Sequence, residues 1–229
     1  VDKALQNVIK HDQFVESVGE ATGYVSTNKK KVGLFLALII GGLSLAYAGK
    51  WYFDQQRTER QLALGEAMGV AQATTSRTTE DEKKVREAFE KVIAKYPGTR
   101  EGALALYMTA MLDIEKGDMA TGEKKLKQVI ASDKEAASLA KFTMAELLVG
   151  QGKTEEAEKT LRELVANPTY LMPAEQSTLQ LGRLIAKTKP EEARKLLEPL
   201  RTARAPISTP AIEVLGALPP APAAPPAKK

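Results

Sequence analysis

The sequence predicts an all-α protein in which one transmembrane helix precedes an α-solenoid of antiparallel helix hairpins. Three observations carry this. Leu, Ala, Glu and Lys dominate the 229 residues while aromatic residues make up only 5%, a composition that favours helix and is poor in the β-branched and aromatic runs of strands. Val32 to Gly49 contains no charged residue. Beyond Glu80 the apolar pattern recurs with a period near 35 residues, the signature of stacked helical hairpins.

Residues 1–28 open the chain with Leu5, Val8, Ile9, Val15 and Val18 at helical spacing, interleaved with Asp2, Gln6, Lys10 and Gln13. This predicts a short amphipathic helix that does not itself cross a bilayer. It either lies on the inner leaflet, docks on a partner, or is a local helix. Val25 to Asn28 breaks it.

Residues 29–53 form a positive flank and the transmembrane helix. From Val32 to Phe53 a helix spans about 33 Å, close to a bilayer core. Lys50 can snorkel to the headgroups while Trp51, Tyr52 and Phe53 sit at the interface. Lys29, Lys30 and Lys31 are the topology determinants: such a cluster stays cytoplasmic, which sends the C-terminal domain outward. A competing reading is a signal peptide cleaved after Ala46-Tyr47-Ala48, which would release a soluble secreted scaffold. The long leader and the polar helical continuation past Phe53 argue against cleavage.

Residues 54–203 form the repeat domain. A helix from Gln55 to Ala73 carries Leu62, Leu64, Ala67, Met68 and Val70, and the Thr74–Thr79 run ends it. Thr79 with Glu80, Asp81 and Glu82 predicts the next cap and acidic first turn. The second helices align as Val85, Phe89, Val92; Gly122, Leu126, Val129; Ala157, Leu161, Leu164; and Ala193, Leu197, Leu200. The first helices align as Tyr107, Ala110; Phe142, Ala145; and Leu179, Gly182. The pairs Ala110 with Gly122, Ala145 with Ala157, and Gly182 with Ala193 put a small residue on each helix of a hairpin, so the two backbones can approach. Turns are predicted at Gly117, Gly152 and Lys187–Pro190. Breaks are predicted at Tyr96–Thr99, Ser132-Asp133 and Asn167–Thr169.

Residues 204–229 are rich in Ala and Pro. Seven prolines from Pro206 onward predict an extended, flexible tail, with a turn or two of helix between Thr209 and Leu218.

Several chemistries are excluded. Without cysteine there is no disulfide, thiol catalysis or thiolate-bound metal, and His11, the one histidine, has no second ligand near it. Glu80, Asp81 and Glu82 are contiguous and fan around a helix, so they do not converge on a cation. No phosphate-binding loop or serine triad is legible. Neither an enzyme nor a bound cofactor or metal is expected. The net charge of +4 is spread among acids, which argues against nucleic acid.

Helix pairs such as EGALALYMTAMLDIEKGDMATGEKKLKQVIAS and AASLAKFTMAELLVGQGKTEEAEKTLRELVANP resemble tetratricopeptide repeats, most closely over Leu147 to Leu164. Leu181-Gly182 is similar to the Leu-Gly of the repeat's first helix. The resemblance implies a concave, peptide-binding face made by first helices, including Tyr107, Met111, Phe142, Glu146, Leu179 and Arg183. The spacing of Tyr107, Phe142 and Leu179 fits interhelix core equally well, and a solvated role fits Glu146 and Arg183.

The order of a short N-terminus with DQFVE, a lysine cluster, one span and a repeat domain resembles the bacterial tetratricopeptide-like ancillary subunits of the Sec translocon. That implies a single-pass protein of the bacterial inner membrane with a cytoplasmic N-terminus. Its periplasmic domain would serve protein transport as a scaffold, and its partners would be the translocon and periplasmic chaperones. Two other readings stand beside it: a structural subunit of another membrane complex, respiratory or division, and the secreted scaffold above.

Overall fold

The computed structural model describes residues 29–73 and 78–220. The predicted amphipathic segment 1–28, with His11, lies outside the described residues, as do Thr74–Arg77 and residues 221–229. The chain divides into two compact units, Val1–Glu59 and Arg60–Lys229.

In the first unit the described residues belong to a helix, α1 (Lys29–Ala73), which continues into the second unit. Its apolar run is long enough to cross a membrane, and none of that run is buried within the chain. Leu34, Phe35, Leu38, Leu43 and Leu45 are all exposed. Past the run, Gln56 Nε2 donates to the Tyr52 hydroxyl at 2.6 Å. The Tyr52 and Phe53 rings meet edge to face with centroids 5.9 Å apart.

The second unit is a succession of hairpins. The end of α1 pairs with α2 (Thr79–Lys95), then α3 (Arg100–Glu115) with α4 (Met119–Ile130), and α5 (Lys134–Gly150) with α6 (Thr154–Ala166). α7 (Ala174–Ile185) pairs with α8 (Pro190–Leu197), which runs into a 3-10 turn, Glu198–Thr202, before α9 (Ala205–Ala217).

Local chemistry sets most of these boundaries. Thr78, one residue before the predicted cap, accepts from Asp81 N at 3.2 Å and donates its hydroxyl to the Asp81 carboxylate at 2.7 Å. Thr99, Asp118 and Asp133 cap α3, α4 and α5 with hydrogen bonds of 2.9 to 3.2 Å, each satisfying amides that the helix leaves open. Gly117 and Gly152 close α3 and α5 with φ of 84° and 77°, a region that side chains with a Cβ avoid. Pro190 sits in the first turn of α8, where its missing N–H costs nothing.

The predicted small-residue pairs hold the hairpins together. Ala110 and Gly122, Ala145 and Ala157, and Gly182 and Ala193 are all buried. A Cβ built on Gly122 would lie 2.5 Å from Ile114 Cγ1, and one on Gly182 would lie 2.5 Å from Leu197 Cδ2. Larger side chains fill the layers between hairpins. Phe89 joins Ala67, Val85, Val92 and Ala105, and Leu126 and Val129 join Ala136 and Ala140 of the following hairpin. Leu161 and Leu164 join Leu181 and Ile185.

The C-terminal region departs from the sequence expectation. Residues 205–217, read there as part of a flexible tail, form α9, which packs Ala211, Ile207, Val214 and Leu215 against Leu179, Leu197 and Leu200. Pro206 stands in its first turn. Pro210 interrupts a single amide, and the apolar burial on the last hairpin offsets that loss. Leu218 packs back on the core of the third and fourth hairpins, and Arg194 Nη2 donates to the Pro219 carbonyl.

Candidate functional site

The face predicted for binding lies on the first helices, and the residues assigned to it separate into two groups. Tyr107 on α3 is half-buried, and its hydroxyl lies 3.0 Å from Thr143 Oγ1 on α5, so the pair links two successive first helices directly. Met111, one turn on, is also half-buried, while Glu146 and Arg183 are exposed. Glu146 is open to solvent at its surface, yet enough protein surrounds its carboxyl to raise its pKa above the ordinary value by desolvation.

Phe142 is half-buried and packs on the core cluster that includes Ala145, Ala157 and Leu161. Leu179 is a correction: at 7% exposure it lies beneath α9, in contact with the layer of Leu197, Leu200 and Ala211. α9 occupies the place that a following first helix has in the earlier hairpins, so the Leu179 side chain is not part of an open face. Tyr107, Met111 and Phe142 keep part of their surface open, and Glu146 and Arg183 are exposed.

The sequence did not reveal a buried ionic junction. Asp113, at 6% exposure, accepts from Arg86 Nη2 on α2 at 2.7 Å and pairs with Lys125 Nζ on α4 at 2.6 Å. Its signal was a lone acid within Met111-Leu112-Asp113-Ile114, where the apolar face should continue. Further along, Glu158 holds Lys189 at 2.6 Å and Arg162 at 2.7 Å, and Arg162 reaches Glu192 at 2.7 Å. Those bonds, Lys189 first and then Arg162, hold the Glu158 carboxyl below the usual range. Both clusters tie neighbouring helices together without converging on a vacant centre.

A succession of helical-repeat hairpins defines a protein-interaction scaffold. A profile of the tetratricopeptide repeat-like domain matches residues 24–195, and the chain belongs to that family. No curated protein matches the sequence. Among solved structures the chain is similar to TPR-like repeats of a Podosopora anserina protein designated a kinesin light chain, at 18% identity and a TM-score of 0.47. That likeness covers 70% of this chain and 83% of the other, and a variant of the same protein gives the same values. It is also similar to the assembly chaperone of RpL4 (Acl4), at 18% identity and a TM-score of 0.36, over 70% of this chain and 56% of the other.

Proposed function

We propose that the protein is a membrane-anchored scaffold of the bacterial inner membrane. Its repeat domain faces the periplasm and assists protein export as an ancillary subunit of the Sec translocon. The observation that carries this reading is the joining of an unburied, uncharged membrane-length run to a tetratricopeptide repeat-like domain in a single chain. Lys29, Lys30 and Lys31 at the start of that run favour a cytoplasmic N-terminus.

Anchoring confines the solenoid to a thin layer beside the bilayer, which raises its effective concentration for emerging or membrane-embedded partners. On the inner face, Met111 adapts its shape to varied apolar side chains. The Glu146 carboxylate, already partly stripped of water, gains from a ligand N–H. Chaperones and translocating chains offer such groups.

The natural absence of cysteine makes the topology testable. Single variants Ser26→Cys and Glu155→Cys are treated with a membrane-impermeant maleimide in intact spheroplasts. The reading expects labelling at position 155 alone, with position 26 reacting only after lysis. Labelling at 26 in intact spheroplasts, or protection at 155, would overturn it.

A further inference from the structure

Tyr170 is 85% exposed, more than any other large apolar or aromatic side chain among the described residues. Yet the backbone on either side of it is fixed. Thr169 N donates to the Met172 carbonyl at 3.0 Å, and Met172 N donates to Thr169 Oγ1 at 3.1 Å. Two further bonds tie the loop to α5: Leu171 N donates to Glu135 Oε2 at 3.1 Å, and the Thr169 and Ser138 hydroxyls lie 2.7 Å apart. Met172 is buried in the core. The loop therefore holds an aromatic ring in solvent with little beyond its side-chain rotations left to lose on binding, the kind of anchor that protein interfaces favour.

Cations flank this loop. Lys134 and Thr169 line one cleft, between α5 and the end of α6. Pro173 and Arg204 line another, between the starts of α7 and α9. Lys134 is the first residue of α5 and Arg204 is the N-cap of α9, places where the positive end of the helix dipole disfavours a cation. Among the described residues neither side chain forms an ion pair or a hydrogen bond. The neighbouring acids are engaged elsewhere: Asp133 accepts from the amides of Glu135 and Ala136, Glu135 accepts from Leu171, and Glu163 is matched by Lys141 at 3.3 Å. Glu175, in the second cleft, offsets at most one of the two charges. Both cations thus stand against local preference without compensation, a pattern expected where function overrides stability.

We propose that the 167–173 loop is a docking site for an acidic segment of a partner protein, with Tyr170 as the central anchor and Lys134 and Arg204 pairing with carboxylates on either side of it. An acid brought to either helix start meets the side-chain charge and the helix dipole together. A lipid surface fits less well, because two cations add little attraction to an anionic bilayer. None of the residues assigned to the binding face takes part, so the proposal does not depend on what that face binds.

The test uses the full chain in its native membrane, with benzoylphenylalanine in place of Tyr170 and, as a control at the opposite end of α6, in place of Glu155. Crosslinks from position 170 should map by mass spectrometry to a segment of another protein rich in Asp or Glu, whichever complex that protein belongs to. Their yield should fall roughly fivefold in the double variant Lys134→Glu, Arg204→Glu and recover when the mapped acids are changed to lysine. Control yields should stay unchanged, and the circular-dichroism melting temperature should equal or exceed the parent's, since an acid suits a helix start. Adducts to lipid alone, to a second copy of this chain, or to a neutral or basic segment would overturn the proposal, as would no crosslink or a yield indifferent to charge reversal.

Discussion

Arg86 Nη2 lies 2.7 Å from Asp113 Oδ1, joining the second helix of the first hairpin to the first helix of the next. Lys125 reaches the other carboxylate oxygen at 2.6 Å, so one buried acid holds three helices of two repeats. Solenoid stability is a sum of hairpin and junction terms, and this polar contact is part of the junction between the first two hairpins.

Removing the acid leaves two cations facing a low-dielectric pocket. Asp113→Ala should therefore destabilise the repeat domain by about 1–3 kcal/mol, less than a fully buried pair because both cations keep some solvent contact. The double variant Asp113→Leu, Arg86→Met should regain part of that loss. Urea unfolding followed by circular dichroism measures both.

Gly122 tests the close approach of α4 to α3. Gly122→Val places branched carbon where a Cβ already falls 2.5 Å from Ile114 and 3.2 Å from the Ala110 carbonyl, so a loss of about 1–3 kcal/mol is expected from overpacking. Gly122→Ala should cost less, because the gain in helix propensity of about 1 kcal/mol opposes the clash. Thermal melts of the two variants should fall in that order.

Two carboxylates should respond to pH with opposite signs. Glu158 titrates lower in the folded state, so its contribution is full above its unfolded pKa and disappears as pH falls through the folded one. Glu158→Gln should melt below the parent at neutral pH, with the curves converging in acid and the gap shrinking in high salt. Glu146 titrates higher in the folded state because burial disfavours its charge. Its ionisation lowers stability as pH rises through the carboxylate range, so Glu146→Gln should melt above the parent at neutral pH and match it once Glu146 is protonated. Calorimetry across a pH series checks both signs.

The repeat was legible because its parts are local or periodic. Ser132-Asp133 announces a break between helices, Gly117 and Gly152 announce turns, and the Ala145–Ala157 pair recurs one period from Ala110–Gly122. The Asp113 junction was not legible, since Arg86 and Lys125 lie on other helices and only packing brings them together. α9 was hidden by composition: proline counts suggest a tail, yet Pro206 begins a helix and the apolar surface of Leu179 and Leu200 exists only after the last hairpin has formed. The same long-range packing decided the binding-face assignment. Spacing places Leu179 in register with Tyr107 and Phe142 but does not show that a later helix covers it.

The central claim is tested most directly by purifying the full-length protein from native membranes in mild detergent and weighing the intact complexes by mass spectrometry. The account predicts stoichiometric recovery of translocon subunits together with this chain. Stoichiometric recovery of a respiratory or division complex without the translocon would contradict it and make the protein a structural subunit of that assembly.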